Sequence, residues 1–120
     1  MPPSRQKSEV FELDVLLALR AASGTPFLEF LRVPRLSAGL YVLAAGSEDT
    51  QTPHSEDELY VVLSGQGQLQ VGEVSRSVGL GSLCYVKAGE KHRFHSVVES
   101  LRLLVVFGPA EHLPPALGAA

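Results

Sequence analysis

Short apolar stretches alternate with glycine- and proline-containing turns over most of the chain after Pro26. Within several stretches, apolar and polar residues alternate with a period of two, which is typical of β-strands. A two-residue connection at Gly72-Glu73 predicts a tight hairpin. Many short strands separated by glycine turns favour an all-β fold, either a sandwich or a closed jelly roll. The predicted strands cover residues 27–33, 36–44, 58–63, 68–71, 74–78, 83–86, 92–97 and 101–107.

The segment before Pro26 has a different pattern. Residues 1–8 are polar and contain prolines, so we expect them to be disordered. Leucines at helical spacing then predict a short helix over residues 15–22, capped by Asp14 and ended by Gly24. We expect this helix to cover the outside or an edge of the sheet. Acidic residues stand where a signal peptide needs positive charge, which argues against a secretory leader.

Length and composition limit the class of protein. The 120 residues suffice for one domain, which we place at residues 9–113, followed by a flexible tail at 114–120. A net charge of −3 leaves no basic stripe for nucleic acid. No apolar run approaches the roughly 18 residues that a membrane span needs. The single cysteine, Cys84, excludes an internal disulfide and fits a cytoplasmic protein.

Two of the predicted strands, residues 58–63 and 101–107, are apolar on both faces. The outer face of a small barrel is normally in contact with water, so an apolar outer face needs a cover. The N-terminal helix can provide part of that cover. We expect a second copy of the chain to provide the rest, in a homodimer.

Histidine and glutamate residues give the clearest indication of function, since three of the four histidines lie between positions 54 and 95. Side chains two residues apart share a face of a strand, so an inward-facing Glu58 brings its alternate neighbours inward with it. The same reasoning applies to the strand that begins at His92, and it turns His95 away from the interior. We therefore expect one small-molecule pocket that contains His54, Glu58, His92, Tyr60, Val62, Phe94, Ser96 and Thr52.

Two imidazoles and one carboxylate in such a pocket are a suitable set of ligands for a divalent transition metal. They suit zinc, iron, manganese, nickel or cobalt better than calcium or magnesium, which prefer oxygen ligands. Three protein ligands leave coordination positions open for water, an enolate, a carboxylate or dioxygen. The ligand set alone does not choose between a Lewis-acid role and a redox role.

The spacing of these residues resembles the two sequence motifs of the cupin superfamily, and in particular those of small single-domain bacterial cupins. The resemblance spans residues 46–96 and implies a jelly-roll barrel, or double-stranded β-helix, that binds a metal. The first motif is matched at Gly46, Thr52-Pro53-His54, Glu58 and Gly65, and the second at Gly81, Lys87-Ala88-Gly89, His92 and Ser96.

Three positions depart from the cupin pattern. Thr52 stands where the first metal-binding histidine is expected, Lys87 replaces a proline and Ser96 replaces an asparagine. A bulge at Pro53 would turn the amide oxygen of Gln51 toward the position that lacks its histidine. The resemblance therefore implies three ligands, with Gln51 as a candidate fourth, and the three are His54, Glu58 and His92.

Three functional interpretations remain open at this point. The first is a metal-dependent enzyme of the dioxygenase, isomerase or decarboxylase type, acting on a carbonyl or enolate substrate. The second is a non-catalytic module that senses or stores a small molecule, and the third is a degenerate cupin without a metal. Apart from the ligands and Tyr60, the sequence offers no clear general base, which weakens the enzyme interpretation. The fold hosts many chemistries and does not choose among them.

Overall fold

The computed structural model describes residues 6–50 and 53–112, and in this part of the chain an antiparallel β-fold follows one helix. The predicted all-β jelly-roll class is confirmed. The predicted terminal segments lie outside the described residues, except for residues 6–8 of the first. The elements are α1 (Leu13–Ser23), β1 (Phe27–Val33), β2 (Leu36–Leu43), β3 (Asp57–Val71), β4 (Val74–Gly79), β5 (Leu83–Val86) and β6 (His92–Gly108).

The sheet is organised around the two longest strands, β3 and β6, which pair with each other along most of their length. The order of strands is β1-β2-β6-β3-β4, and β5 pairs with the first half of β3. Consequently the first half of β3 lies between β6 and β5, and its second half lies between β6 and β4. Each long strand thus contributes to both walls of the barrel.

The prediction of eight strands was wrong in number because two interruptions in the pattern are bends within continuous strands. Residues 58–63 and 68–71 both belong to β3, and residues 92–97 and 101–107 both belong to β6. Register shifts in the β3–β6 pairing fall between Val62 and Gln68, which is the stretch that separates the two predicted strands of β3. A bulged ladder of this kind bends without ending, so the apolar pattern restarts on the same strand.

Gly65 explains how the bend is packed. Its φ of +97° is unfavourable for other residues, and a Cβ atom at this position would lie 2.1 Å from the carbonyl oxygen of Ser100. The backbones of β3 and β6 therefore approach each other more closely here than any side chain allows. This is a physical reason for a glycine at the end of the first motif.

The helix α1 begins two residues earlier than predicted. Glu12 occupies the N-cap position without a side-chain hydrogen bond, and Asp14 lies inside the first turn, so the predicted Asp14 cap was wrong. Asp14 still favours the helix there, because a negative charge near the N-terminus interacts well with the helix dipole. The helix ends at Gly24, which has a φ of 73°, as predicted. It packs against β1 and β2 and buries Leu16.

Part of the outer face of the sheet remains exposed at the side away from α1. Leu59, Leu83 and Tyr85 are 40%, 70% and 63% exposed. Leu59 pairs with Tyr85 across β3 and β5, so two of these side chains are direct neighbours. This surface agrees with the reasoning that led to a homodimer, which stays a prediction. Among the described residues, no helix is long and apolar enough to cross a membrane.

Candidate metal centre

His54, Glu58 and His92 come together inside the barrel and offer one ligand atom each within 4.8 Å of one another. All three side chains are buried. His54 lies in the loop before β3, Glu58 is the second residue of β3, and His92 is the first residue of β6. Residues far apart in sequence thus converge because the two long strands bend around a common interior.

His92 is held with its Nε2 atom toward the other candidate ligands. Its Nδ1 lies 2.9 Å from the carbonyl oxygen of Glu90, which only accepts, so Nδ1 carries the proton. Its Nε2 lies 3.0 Å from Oε1 of Glu58 and 3.0 Å from the hydroxyl of Tyr60. Burial favours the neutral ring, but Glu58 and the Glu90 carbonyl outweigh it and raise the pKa of His92 above its ordinary value.

His54 is held through its ring and through its backbone. Its Nδ1 lies 3.1 Å from Oε2 of Glu111, and its ring packs edge-on against Phe107 with the centroids 4.9 Å apart. Its carbonyl oxygen accepts a hydrogen bond from the backbone N–H of Gly89 at 2.6 Å. These contacts fix both the position and the rotation of the imidazole.

The turn before β6 is bonded directly to the start of β3. Gly89 has a φ of 78°, a conformation that glycine adopts readily, and its N–H reaches the carbonyl of His54. The next contact joins the N–H of Ala88 to Oδ1 of Asp57 at 3.0 Å. The two sequence motifs are therefore locked to each other by hydrogen bonds, which holds His54 and His92 at a fixed separation, with ring centroids 6.0 Å apart.

Glu58 is the strongest indication that a cation belongs in this cluster. The residue is 2% exposed, and neither carboxylate oxygen accepts a hydrogen bond from the part of the chain that the structure describes. Although Oε1 lies close to Nε2 of His92, the two atoms are not aligned as donor and acceptor. A buried carboxylate without hydrogen bonds is costly unless a positive charge compensates it. The donor set and this carboxylate both fit a divalent metal.

The remaining predicted pocket residues do not all share the interior. Tyr60, Val62 and Phe94 are buried in the main hydrophobic cluster, as the alternation predicted. The prediction for Ser96 was wrong: its side chain is exposed and its φ of 49° interrupts the extended backbone. The period-two rule does not continue through such a residue. Thr52 and Gln51 lie outside the described residues, so their roles stay predictions.

Three buried acidic residues near the site were not identified from the sequence. Glu111 follows β6 and contacts His54, and Glu56 precedes β3 and accepts hydrogen bonds from Ser55 and His112. Burial alone would raise the pKa of Glu56, but those bonds reverse the effect and the pKa is lowered. For Glu111, burial dominates over His54 and the pKa is raised. Neither residue belongs to a local pattern that would have revealed it.

The third missed residue, Asp49, anchors the loop that leads into the site. Its Oδ1 accepts a hydrogen bond from the hydroxyl of Tyr41 at 2.8 Å, and its Oδ2 accepts one from the N–H of Phe94 at 2.9 Å. Burial, followed by the nearby Asp49 carboxylate, strongly raises the pKa of Tyr41. Asp49 thereby connects β2 to β6 close to His92.

Comparisons with known proteins agree with this architecture. An uncharacterized protein of Streptomyces coelicolor is 48% identical over 103 residues, covering 86% of this chain and 98% of that one. A double-stranded β-helix protein from Klebsiella pneumoniae aligns with a TM-score of 0.71 at 20% identity, covering 86% of this chain and 91% of that one. The protein TT1209 from Thermus thermophilus aligns with a TM-score of 0.68 at 22% identity, covering 86% of this chain and 99% of that one.

These structural likenesses show the fold, and the family follows from the sequence. The sequence model described as "Cupin domain" matches residues 39–107, a range that runs from β2 to the end of β6. It includes both motifs and all three residues of the His54–Glu58–His92 cluster. The chain therefore belongs to the cupin domain family.

Proposed function

We propose that the protein binds one divalent transition metal through His54, Glu58 and His92 and uses it to hold a small organic ligand in the barrel. The observation that carries this proposal is the buried Glu58 carboxylate, which has no hydrogen bond in the described part of the chain and faces two imidazoles. Two nitrogen ligands and one carboxylate suit zinc, iron, manganese, nickel or cobalt. Gln51 remains our candidate for a further ligand.

A bound metal would act as a Lewis acid or a redox centre toward groups that occupy its open positions. The chain supplies the surroundings. Tyr60 places its hydroxyl 3.0 Å from Nε2 of His92, where it is able to hold a proton beside a bound ligand. Phe94 packs edge-on against Tyr60, with ring centroids 4.8 Å apart, and keeps that side of the interior dry.

A cleft of about 640 Å³ between β4 and β5 offers space for the ligand. This volume lies within the usual range of small-molecule sites, roughly 300–1,000 Å³. Its wall includes Val71, which pairs with His92, and Cys84, which pairs with Tyr60. Paired residues project to the same face, so Val71 and Cys84 lie on the side of the sheet that carries His92 and Tyr60, while His54, Glu58 and His92 themselves do not line the cleft. We therefore assign the ligand to this cleft.

The charges at the cleft suggest the chemical class of the ligand. Arg76 and Lys87 line it from β4 and from the turn after β5, and Glu90 is the single acidic residue among its lining residues. The excess of positive charge favours a ligand with a carboxylate or enolate group on an apolar body. Such a group is also a good donor to a divalent metal.

The decisive experiment is metal analysis of the purified protein, as isolated and after reconstitution with each first-row divalent ion. We expect about one metal per chain in the wild type and none in His92→Ala. His95→Ala is the matched control, because His95 lies on the same strand and contacts Ser75 and Ser96 instead of the cluster. Absence of metal from the wild type under all conditions would refute the proposal and favour the metal-free interpretation.

Turnover separates the two metal-dependent interpretations. A metal-dependent enzyme should convert at least one compound in a panel of small carboxylates and β-dicarbonyl compounds, with activity lost in His92→Ala and retained in His95→Ala. A binding module should show a ligand-dependent rise in melting temperature without turnover. Our proposal also places the protein in the cytoplasm, in keeping with one free cysteine.

A further inference from the structure

Glu111 deserves a functional interpretation because it is a buried carboxylate from the segment that follows the last strand. Its side chain is 1% exposed, and neither oxygen accepts a well-aligned hydrogen bond from the described residues. The ring of His54 lies beside it, with 3.1 Å between Oε2 and Nδ1. A buried carboxylate does not contribute to solubility, so its presence beside His54 calls for a structural or functional explanation.

The backbone around Glu111 is fixed from three sides. Its N–H donates to the hydroxyl of Ser37 at 2.9 Å, and its carbonyl accepts from Nη1 of Arg32 at 2.8 Å. The preceding residue, Ala110, donates its N–H to the carbonyl of Pro34 at 3.4 Å. The segment after β6 is thus bonded to β1, to β2 and to the turn between them, and the carboxylate is delivered to His54 by a rigid support.

We propose that Glu111 is a positioning residue that holds His54 as the Nδ1–H tautomer and directs Nε2 to the metal. The inference rests on the proposed function, because it assigns a role toward the same metal. It gives the two histidines the same arrangement, in which Nδ1 faces an oxygen acceptor and Nε2 is directed to the metal. His92 donates its Nδ1–H to the Glu90 carbonyl, and Nδ1 of His54 faces the Glu111 carboxylate at 3.1 Å, where the inference places the corresponding proton. Such partners orient the imidazole and make it a stronger ligand.

Glu111 acts through His54 and does not bind the metal itself. The group of atoms that lie within 4.8 Å of one another contains His54, Glu58 and His92 and does not include Glu111. Its contact is with Nδ1, the ring nitrogen that faces away from a metal bound at Nε2. Glu111 therefore has the role of the carboxylate in a carboxylate–histidine–metal arrangement, in which the carboxylate contacts the histidine and the histidine binds the metal.

The first test uses metal-free protein and nitrogen-15 NMR of the imidazole rings, in alkaline buffer where histidine is neutral. We expect His54 to be the Nδ1–H tautomer in the wild type and to shift toward the Nε2–H form in Glu111→Ala. His92 should keep its tautomer in both proteins and serves as the internal reference. An Nε2–H tautomer of His54 in the wild type would overturn the inference.

The second test measures zinc affinity by competition with a chelating dye. We expect Glu111→Ala to bind roughly 10- to 100-fold more weakly than the wild type, with Glu111→Gln between the two, since removing such partners typically has this effect. Glu99→Gln, which changes an exposed carboxylate on β6, should bind like the wild type. Unchanged affinity in folded Glu111→Ala would refute the inference, and so would loss of a ligand in the zinc X-ray absorption spectrum of that variant.

The two tests keep this inference distinct from the proposed function. A wild type that binds no metal refutes the proposed function, whereas the tautomer of His54 still decides whether Glu111 positions the ring. Circular dichroism and urea unfolding of Glu111→Ala establish that the variant is folded. If it does not fold, Glu111→Gln carries both measurements, because it retains the length of the side chain and removes the charge.

Discussion

The paired substitutions Glu58→Gln and Glu56→Gln give opposite predictions from the same chemical change. Both residues are 2% exposed, and they lie two positions apart in the sequence. Glu56 accepts hydrogen bonds from Ser55 and His112, whereas Glu58 has none in the described part of the chain. Replacing the carboxylate by an amide should therefore stabilise the metal-free protein at position 58 and destabilise it at position 56.

The magnitudes follow from the cost of burying charge. An unsatisfied buried polar group costs about 1–3 kcal/mol, and more when it is charged. Glu58→Gln removes only the additional cost of the charge, so it should raise the free energy of unfolding by about 1 kcal/mol. Hydrogen bonds to charged groups contribute about 1.5–3 kcal/mol, and Glu56→Gln should lower the free energy of unfolding by a similar amount. The measurement is urea unfolding of chelator-treated protein at about pH 8.5, an alkaline pH chosen because the pKa of His92 is raised above the ordinary histidine value.

The pH dependence of the Glu56 effect has a definite sign. The pKa of Glu56 is lowered in the folded state, so its ionised form stabilises the fold above the pKa of the unfolded chain, about 4.3. This contribution is lost as the pH falls through the lower folded pKa. The difference in stability between the wild type and Glu56→Gln should therefore be full at neutral pH and should vanish in acid.

Metal addition then reverses the order of wild type and Glu58→Gln. At a metal concentration of about 100 times the dissociation constant, the wild type gains about 2.7 kcal/mol of stability. A 100-fold weaker variant gains only about 0.4 kcal/mol by the same relation. An equal gain in both proteins would refute the assignment of Glu58 as a ligand. A metal-free Glu58→Gln that is less stable than the wild type would refute the claim that this carboxylate needs a cation.

Three further predictions concern other parts of the fold. Gly65→Ala should lower the free energy of unfolding by more than about 3 kcal/mol, because it combines a strained φ with a backbone clash. Gly81→Ala is the control: its φ is +88° but the space around it is open, so it should lower the free energy of unfolding by only about 1–2 kcal/mol. Equal losses in urea unfolding would remove the clash as the cause. Burial raises the pKa of Cys84, so its alkylation by iodoacetamide should begin at higher pH than in the urea-unfolded protein; coincident pH profiles by mass spectrometry would contradict this. The wild type should sediment as a dimer and Leu83→Lys as a monomer, while Leu80→Lys, which changes a still more exposed leucine in a turn, should remain dimeric; a monomeric wild type would exclude the dimer.

The alternation of side chains predicted most of the barrel and the interior position of the residues at the start of β3. Glu58, Tyr60 and Val62 all face inward because β3 is regular from its start to Val62. The rule failed at Ser96, where a positive φ breaks the period, and it counted two bent strands as four. Both failures have one cause: local periodicity carries no information about where the backbone of one strand must bend around another.

Contacts between distant segments account for the parts of the site that the sequence did not reveal. Asp49, Glu56 and Glu111 have no motif, and each acquires its role from a partner that only the folded chain brings near. Their burial distinguishes them from solvated acidic residues, but burial is a property of the structure. A search for ligand spacing therefore finds the residues that touch a metal and omits the ones that orient them.

The two imidazoles are oriented by segments of different kinds, and this has a consequence for engineering the site. His92 is held by a carbonyl two residues away, so its orientation depends only on the turn before β6. His54 depends on Glu111, which reaches it from the segment after β6 through anchors on Ser37 and Arg32. Loosening that segment, for example with Ser37→Ala, should therefore weaken metal binding through His54 while the environment of His92 stays unchanged.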